Sequence, residues 1–334
     1  MKLVIHPPLE ESRLLRIVDA AGAMQVVNAT DEQQALREIG AADGFYGKMT
    51  PQLLSAAGAN LRWVQSPTAS LEHYIFPELV DHPLQLTNMR GLYGDVIADH
   101  VMGYVICLAR NFPFYIRNQT ESKWEAAGGE AGRAGFLTGP GVATATDHAH
   151  IHLSDTTMGI IGLGQIGAEI GRRAAAFSIQ VIAVDPLRSE PPEGIDSLWK
   201  MDRLDDLLAQ SDWVVVAAPH TPETERMIAA EQFQKMKSSA YFINIGRGAI
   251  VVLDDLVAAL EQREIQGAAL DVYEVEPLPA DHPLWTMPNV LLTPHIAACS
   301  PRISERHTAT LLDNVRRFAT GEDLRNVVDK AKWF

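Results

Sequence analysis

At 334 residues the chain is long enough for two domains, and its 47% hydrophobic content excludes a disordered protein. A formal net charge of −14 and a pI near 5.2 argue against nucleic acid or an anionic membrane surface as partner, so an anionic ligand would need a locally positive pocket. Cys107 and Cys299 show neither zinc nor C-x-x-C spacing, the N-terminal apolar run is too short for a signal peptide, and no stretch of about 18 apolar residues offers a membrane span; a soluble, cytoplasmic protein is expected.

From Lys2 onward, short apolar runs alternate with helical stretches: Leu3 to Ile5, Leu14 to Ala21, Gln25 to Val27, Glu32 to Ile39, Gly44 to Tyr46, Gln52 to Ala57, Leu61 to Gln65 and Leu84 to Thr87. That pace predicts a parallel, doubly wound sheet in the first hundred residues. Ala98 to Arg110 is apolar at helical spacing and predicts a long helix running into the more polar 111–124, and Glu125 to Ala145, rich in Gly and Ala, predicts a loop or arm. The alternation restarts at Met158, with strands expected at Met158 to Gly162, Gln180 to Val184, Trp213 to Ala217, Ala240 to Ile245, Gly267 to Val272 and Val290 to Leu292. The intervening helices are expected at Gln165 to Phe177, Leu204 to Ala209, Ala230 to Lys237 and Asp254 to Arg263. A last helical stretch, Ile303 to Ala319, is too short for a third domain and is expected to return to the first.

Gly162, Gly164 and Gly167 stand at G-x-G-x-x-G spacing between a strand and a helix. Gly162 permits the turn, Gly164 lets a pyrophosphate approach the backbone, Gly167 lets the helix pack on its strand, and the N–H groups of Gln165 and Ile166 open the helix toward the phosphates. Asp185, about 20 residues on at the end of the next strand, is placed to meet a ribose 2′-hydroxyl and favours NAD over NADP, with Arg188 three positions later as the opposing signal.

Ligands of open α/β sheets bind beyond the carboxyl ends of the strands. The polar residues following each predicted strand are Asp185, His220, Arg247, Asp271 with Glu276, and His295. An Arg can hold a carboxylate bidentately, a His can protonate a developing alkoxide, and a Glu bonded to the other ring nitrogen can orient that His. Each of the three alone could equally be a surface or structural group; their joint position at strand ends is what suggests reduction of a 2-oxo acid.

At these residues the chain resembles the D-isomer-specific 2-hydroxyacid dehydrogenases. The matching stretches are Gly159 to Gly167, Ala218 to Thr224, Ile243 to Gly248, Gly267 to Leu278, Pro288 to Val290 and Thr293 to Ala297. The resemblance implies two doubly wound α/β domains, with a Rossmann cofactor domain (100–297) inserted into a flavodoxin-like substrate domain (1–99 and 298–334). It implies Arg247 as the substrate-carboxylate ligand, His295 as acid/base, Glu276 as its partner, and Asp271 on the nicotinamide carboxamide side. Pro219, His220 and Thr224 fall in a cofactor-side stretch, and Ala69 and Ser70 stand where the family places backbone N–H groups on the substrate carboxylate. Ser70 replaces a usual Gly, and Val252 replaces an acid common after the Arg-Gly pair. The implied reaction is NAD(P)H-dependent reduction of a small 2-oxo acid, glyoxylate or hydroxypyruvate in type, by a homodimer. The alternative is a dinucleotide-sensing corepressor of the same family. Formate oxidation is disfavoured by Glu276, where that branch has Gln.

His148, His150 and His152 would share one face of an extended strand, as a metal site or simply as a polar strand or arm; no accompanying Cys or carboxylate pattern supports a metal, and none is expected. Trp285 either walls the substrate pocket or makes ordinary packing contacts.

Overall fold

The computed structural model describes residues 1–130 and 141–333, so the middle of the expected 125–145 loop and the final Phe334 lie outside the described residues. The chain divides into two compact units, residues 1–93 with 300–334, and 94–299. The division falls where a helix begins at Gly94, rather than at 99/100 inside that helix.

In the first unit the strands are β1 (Lys2–Ile5), β2 (Gln25–Asn28), β3 (Gly44–Tyr46), β4 (Trp63–Gln65) and β5 (Gln85–Thr87), all parallel in the order β2-β1-β3-β4-β5. The helices are α1 (Glu11–Ala21), α2 (Glu32–Ile39), α3 (Pro51–Ala56) and α4 (Pro77–Asp81). Side chains alternate across a strand, so Leu3 and Ile5 join Ile17 of α1 on one face while Val4 joins Ile39, Leu53 and Leu79 on the other. Both faces are thereby covered, as a parallel sheet requires.

The second unit opens with α5 (Gly94–Ala109) and α6 (Phe112–Thr120), two helices where one long helix is predicted. Asn111 between them takes a left-handed φ of 56°, and Pro113 lacks the N–H that a continuous helix would use. After α7 (Ala145–His148) come β6 (Thr157–Ile161), α8 (Gln165–Ala176), β7 (Gln180–Val184), β8 (Ser197–Trp199), α9 (Leu204–Gln210), β9 (Trp213–Val216), α10 (Ala230–Lys235), β10 (Tyr241–Asn244), α11 (Leu253–Glu261), β11 (Gly267–Leu270) and β12 (Val290–Leu292). The sheet runs β12-β11-β10-β9-β6-β7-β8, parallel throughout. β8 is an additional strand that the sequence reading lacks: three partly buried residues at a sheet edge leave almost no hydrophobic pattern.

The winding reverses between β6 and β9, so the glycine turn after β6 lies at the switch point where such sheets bind dinucleotides. Helix α12 (Ile303–Thr320) returns to the first unit, burying Leu311, Leu312 and Val315 beside Leu3, Ile5 and Ile17; Gly321 at φ 77° ends it.

Candidate active site

The glycine turn differs in its surroundings at each position. Gly162 has φ 90°, and a Cβ there would lie 2.7 Å from the Ala218 backbone, so only glycine lets β6 and β9 end this close together. A Cβ on Gly167 would lie 2.2 Å from the Gly162 carbonyl, fixing α8 against its strand, whereas one on Gly164 would meet nothing within 4 Å. Open space at Gly164 and the first-turn N–H groups of α8, which a helix leaves unpaired, together fit a pyrophosphate. Asp185 stands next to them. Its Oδ2 accepts from the Leu163 N–H at 2.7 Å and its Oδ1 from Leu187 and Arg188 N–H at 2.9 and 2.8 Å, while Arg188 Nε donates to the Leu163 carbonyl at 3.0 Å. One Oδ2 lone pair is left over for a ribose hydroxyl.

On the far side of the switch point, Thr224 Oγ1 closes the turn after β9 by donating to the Pro219 carbonyl at 2.7 Å and accepting from Thr221 N–H at 2.8 Å; Pro219 is exposed and His220 partly buried. Arg247 follows β10. The buried last residue of that strand, Asn244, accepts from Gly246 N–H and donates to the Arg247 carbonyl, both at 3.0 Å, and Arg247 Nη1 donates to the Gly246 carbonyl at 2.7 Å. A Cβ on Gly248 would come within 1.8 Å of the Tyr273 backbone, so the arginine loop lies directly on the loop that carries Glu276.

Glu276 and His295 are joined. His295 Nδ1 and Glu276 Oε2 are 2.7 Å apart, and Glu276 Oε1 accepts from Tyr273 N–H at 3.0 Å. The carboxylate requires a donor, so Nδ1 carries a proton and Nε2 is the ring atom turned to other work; it makes no hydrogen bond to a described residue, and the side chain is 46% exposed. His295 has φ 55°, a conformation few non-glycine residues hold unaided. Asp271 supplies the support: it is 2% exposed, its Oδ1 accepts from Thr293 Oγ1 (2.5 Å) and Ile296 N–H (2.9 Å), and its Oδ2 accepts from Ala297 N–H (2.9 Å).

Behind Asp271 lies a layer that the sequence reading missed. Tyr104 of α5 hydrogen bonds to Thr293 Oγ1 and to the Leu270 carbonyl, His100 Nε2 reaches Thr293 Oγ1 at 3.1 Å, and Tyr273 bonds to the Leu270 and Thr293 carbonyls at 3.1 and 3.0 Å. Burial pushes the Tyr104 and Tyr273 hydroxyls far above the usual phenol range and pushes His100 below the ordinary imidazole value, against a smaller pull upward from Asp271. No local signal marks Tyr104 and His100, because their partners lie 166 to 193 positions away.

One expectation changes. The residues from 145 begin with helix α7 and form no strand, so His148, His150 and His152 do not share an extended face; His150 instead stacks on Tyr115 and bonds its hydroxyl at 2.9 Å. Among the described residues no three His, Cys, Asp or Glu side chains are grouped as metal ligands. Trp285 is 51% exposed, with its indole N–H on the Pro279 carbonyl at 2.8 Å. Val252 caps α11 with no side chain, yet Glu274 Oε2 takes the Leu253 N–H at 2.9 Å, so an acid from the next loop does the capping.

In the first unit, the turn after β4 is tied down by its carbonyls: Asn88 Nδ2 donates to Ala69 O at 2.7 Å and Met89 N–H to Thr68 O at 3.0 Å. Ser70 keeps a negative φ, so a side chain is tolerated where glycine is usual.

Residues 102–297 match the family model for the NAD-binding domain of D-isomer-specific 2-hydroxyacid dehydrogenases. The chain belongs to that family. This dehydrogenase is 33% identical over 261 residues to the human glyoxylate reductase/hydroxypyruvate reductase, covering 78% of this chain and 74% of that one. It is 31% identical over 334 residues to glyoxylate/hydroxypyruvate reductase B of Cronobacter sakazakii, covering 98% and 97%. Among solved structures, the NADPH-dependent glyoxylate/hydroxypyruvate reductase of Sinorhizobium meliloti, in complex with NADP and sulfate, aligns with a TM-score of 0.78 at 25% identity over 100% of this chain and 99% of that one. The dehydrogenase is thus an NAD(P)-dependent enzyme of two parallel-sheet α/β units. No helix among the described residues is long and apolar enough to cross a membrane.

Proposed function

We propose that this enzyme reduces a small 2-oxo acid of the glyoxylate or hydroxypyruvate type to the D-2-hydroxy acid, reversibly, with NADH preferred over NADPH. The observation that carries the reading is the 2.7 Å His295–Glu276 pair with Nε2 left for a substrate oxygen. Nicotinamide, when bound, supplies the hydride that reaches the carbonyl carbon. His295 gives its Nε2 proton to the carbonyl oxygen, and the Glu276 carboxylate stabilises the imidazolium that precedes the transfer. Arg247 holds the substrate carboxylate and polarises the neighbouring carbonyl. The names of the human and Cronobacter relatives support the substrate class.

The NADH preference rests on Asp185, whose spare acceptor suits a ribose hydroxyl and whose charge would repel a 2′-phosphate. We further propose that the first unit serves the substrate and that the enzyme works as a homodimer in the cytoplasm. The deciding experiment follows loss of reduced-nicotinamide absorbance with glyoxylate, hydroxypyruvate, pyruvate and phenylpyruvate, using each cofactor. Turnover is expected, with kcat/KM about tenfold higher for NADH than NADPH. NADH binding without turnover of any acid would support the corepressor alternative instead.

A further inference from the structure

The carboxyl edge of the first sheet holds a cation that the reaction above does not use. Arg13 lies in the first turn of α1, immediately after β1. Its Nη2 is 2.6 Å from His307 Nδ1 and donates to the Tyr46 hydroxyl at 3.3 Å; the guanidinium carbon sits 5.7 Å from the Tyr46 ring centre. An arginine can only donate, so His307 Nδ1 accepts and its Nε2 carries the proton, which goes to the Pro67 carbonyl at 2.8 Å. His307 is thereby a neutral spacer, and burial together with the Arg13 charge lowers its pKa. Arg13 is thus anchored to the 66–70 turn.

What it lacks is an acid. One turn along the same helix, Arg16 pairs bidentately with Glu305 at 2.9 and 2.8 Å. Arg13 makes no ion pair with any described residue, in a chain with 14 surplus negative charges, and even Glu10, whose charge reaches Tyr46, does not pair with it. Arg13 Nε is buried without a partner, as is His6 Nδ1 beside the same strand ends, and Arg13 Nη1 has no hydrogen bond within the described residues. With Nη2 taken by neutral groups, the Nη1 donors of a permanently charged guanidinium are left for an oxygen of a carboxylate or phosphate. Lys48, exposed just past β3 with its Nζ 5.0 Å over the Tyr74 ring, is a second cation following the strand that carries Tyr46.

We propose that Arg13, backed by His307 and Tyr46, is an anion-recognition site of the first unit that takes a carboxylate or phosphate of a small acid. In combination with the dehydrogenase reading, on which this step rests, the preferred substrate is a 2-oxo acid carrying a second anionic group. The test compares kcat/KM of the full chain with NADH for 2-oxoglutarate, 3-phosphohydroxypyruvate and 2-oxopentanoate, the last an uncharged-ended analogue of the first. An anionic-ended acid is expected to win by about tenfold or more, and which one wins separates carboxylate from phosphate. Arg13→Gln is expected to abolish that ratio, while Arg16→Gln preserves it. A wild type that prefers 2-oxopentanoate, or an Arg13→Gln variant that keeps the wild-type ratio, overturns the site. If no acid is reduced, calorimetric titration with 2-oxoglutarate still decides: binding that Arg13→Gln removes upholds the site while the reduction reading fails, and binding that is absent or indifferent to Arg13 overturns it.

Discussion

The carboxyl edges of the two sheets use their polar groups in different ways. In the second unit the acids are bonded from within: Asp271 takes three donors, Asp185 three, and Glu276 a backbone N–H besides His295. That edge leaves over an imidazole nitrogen on a residue whose backbone and ring are both fixed by neighbours, besides one Asp185 lone pair and the first N–H groups of α8. In the first unit the arginine at the edge is held through Nη2 by neutral partners and keeps its Nη1 donors and its whole charge. A site built for proton transfer needs its groups locked in place and protonation, whereas a site built for recognition needs bonding capacity unspent.

Substitutions can break this contrast. The largest effect is expected at His295: His295→Asn should lower kcat by roughly a hundredfold to ten-thousandfold with NADH affinity retained, and a fall of only a few-fold would remove His295 from proton transfer. Next is Gly248→Ala, whose new Cβ would overlap the Tyr273 backbone at 1.8 Å; a loss of at least about 3 kcal/mol is expected from denaturant unfolding, together with activity. Thr293→Val deletes the hydroxyl joining Tyr104, His100 and Asp271, leaving a buried carboxylate short of one donor, and should cost about 1–3 kcal/mol of stability. Unaltered stability in that variant would mean that the layer behind Asp271 is not a support.

The smallest effect is a pH slope. Burial holds His100 below its ordinary value of 6.5 in the folded state, so on acidification the unfolded chain takes up the proton first. His100 therefore leaves stability intact above pH 6.5 and erodes it as pH falls toward the lowered folded-state value. His100→Gln should flatten part of that acid slope in thermal unfolding across pH 5 to 7, and an identical slope would show that His100 is not the group responsible.

The family, the two sheets and the succession of strands were legible in the sequence because each rests on a local pattern. Short apolar runs of β-branched residues mark parallel strands, and three glycines at fixed spacing mark one particular turn. The same locality explains the misses. β8, Ser-Leu-Trp, has only two apolar residues and none β-branched, and the break between α5 and α6 depends on the left-handed Asn111, which hydrophobic spacing does not register.

Residue types at strand ends were enough to nominate Arg247, Glu276 and His295, because their chemistry does not depend on distance. The tertiary structure alone decided that Glu276 and His295 stand 2.7 Å apart, that Asp271 and Asn244 hold the loops carrying His295 and Arg247, and that Arg13 ends without an acid. Such pairings join residues up to 294 positions apart. Their geometry is fixed by how whole sheets and helices pack, so no short stretch of the chain carries a record of it.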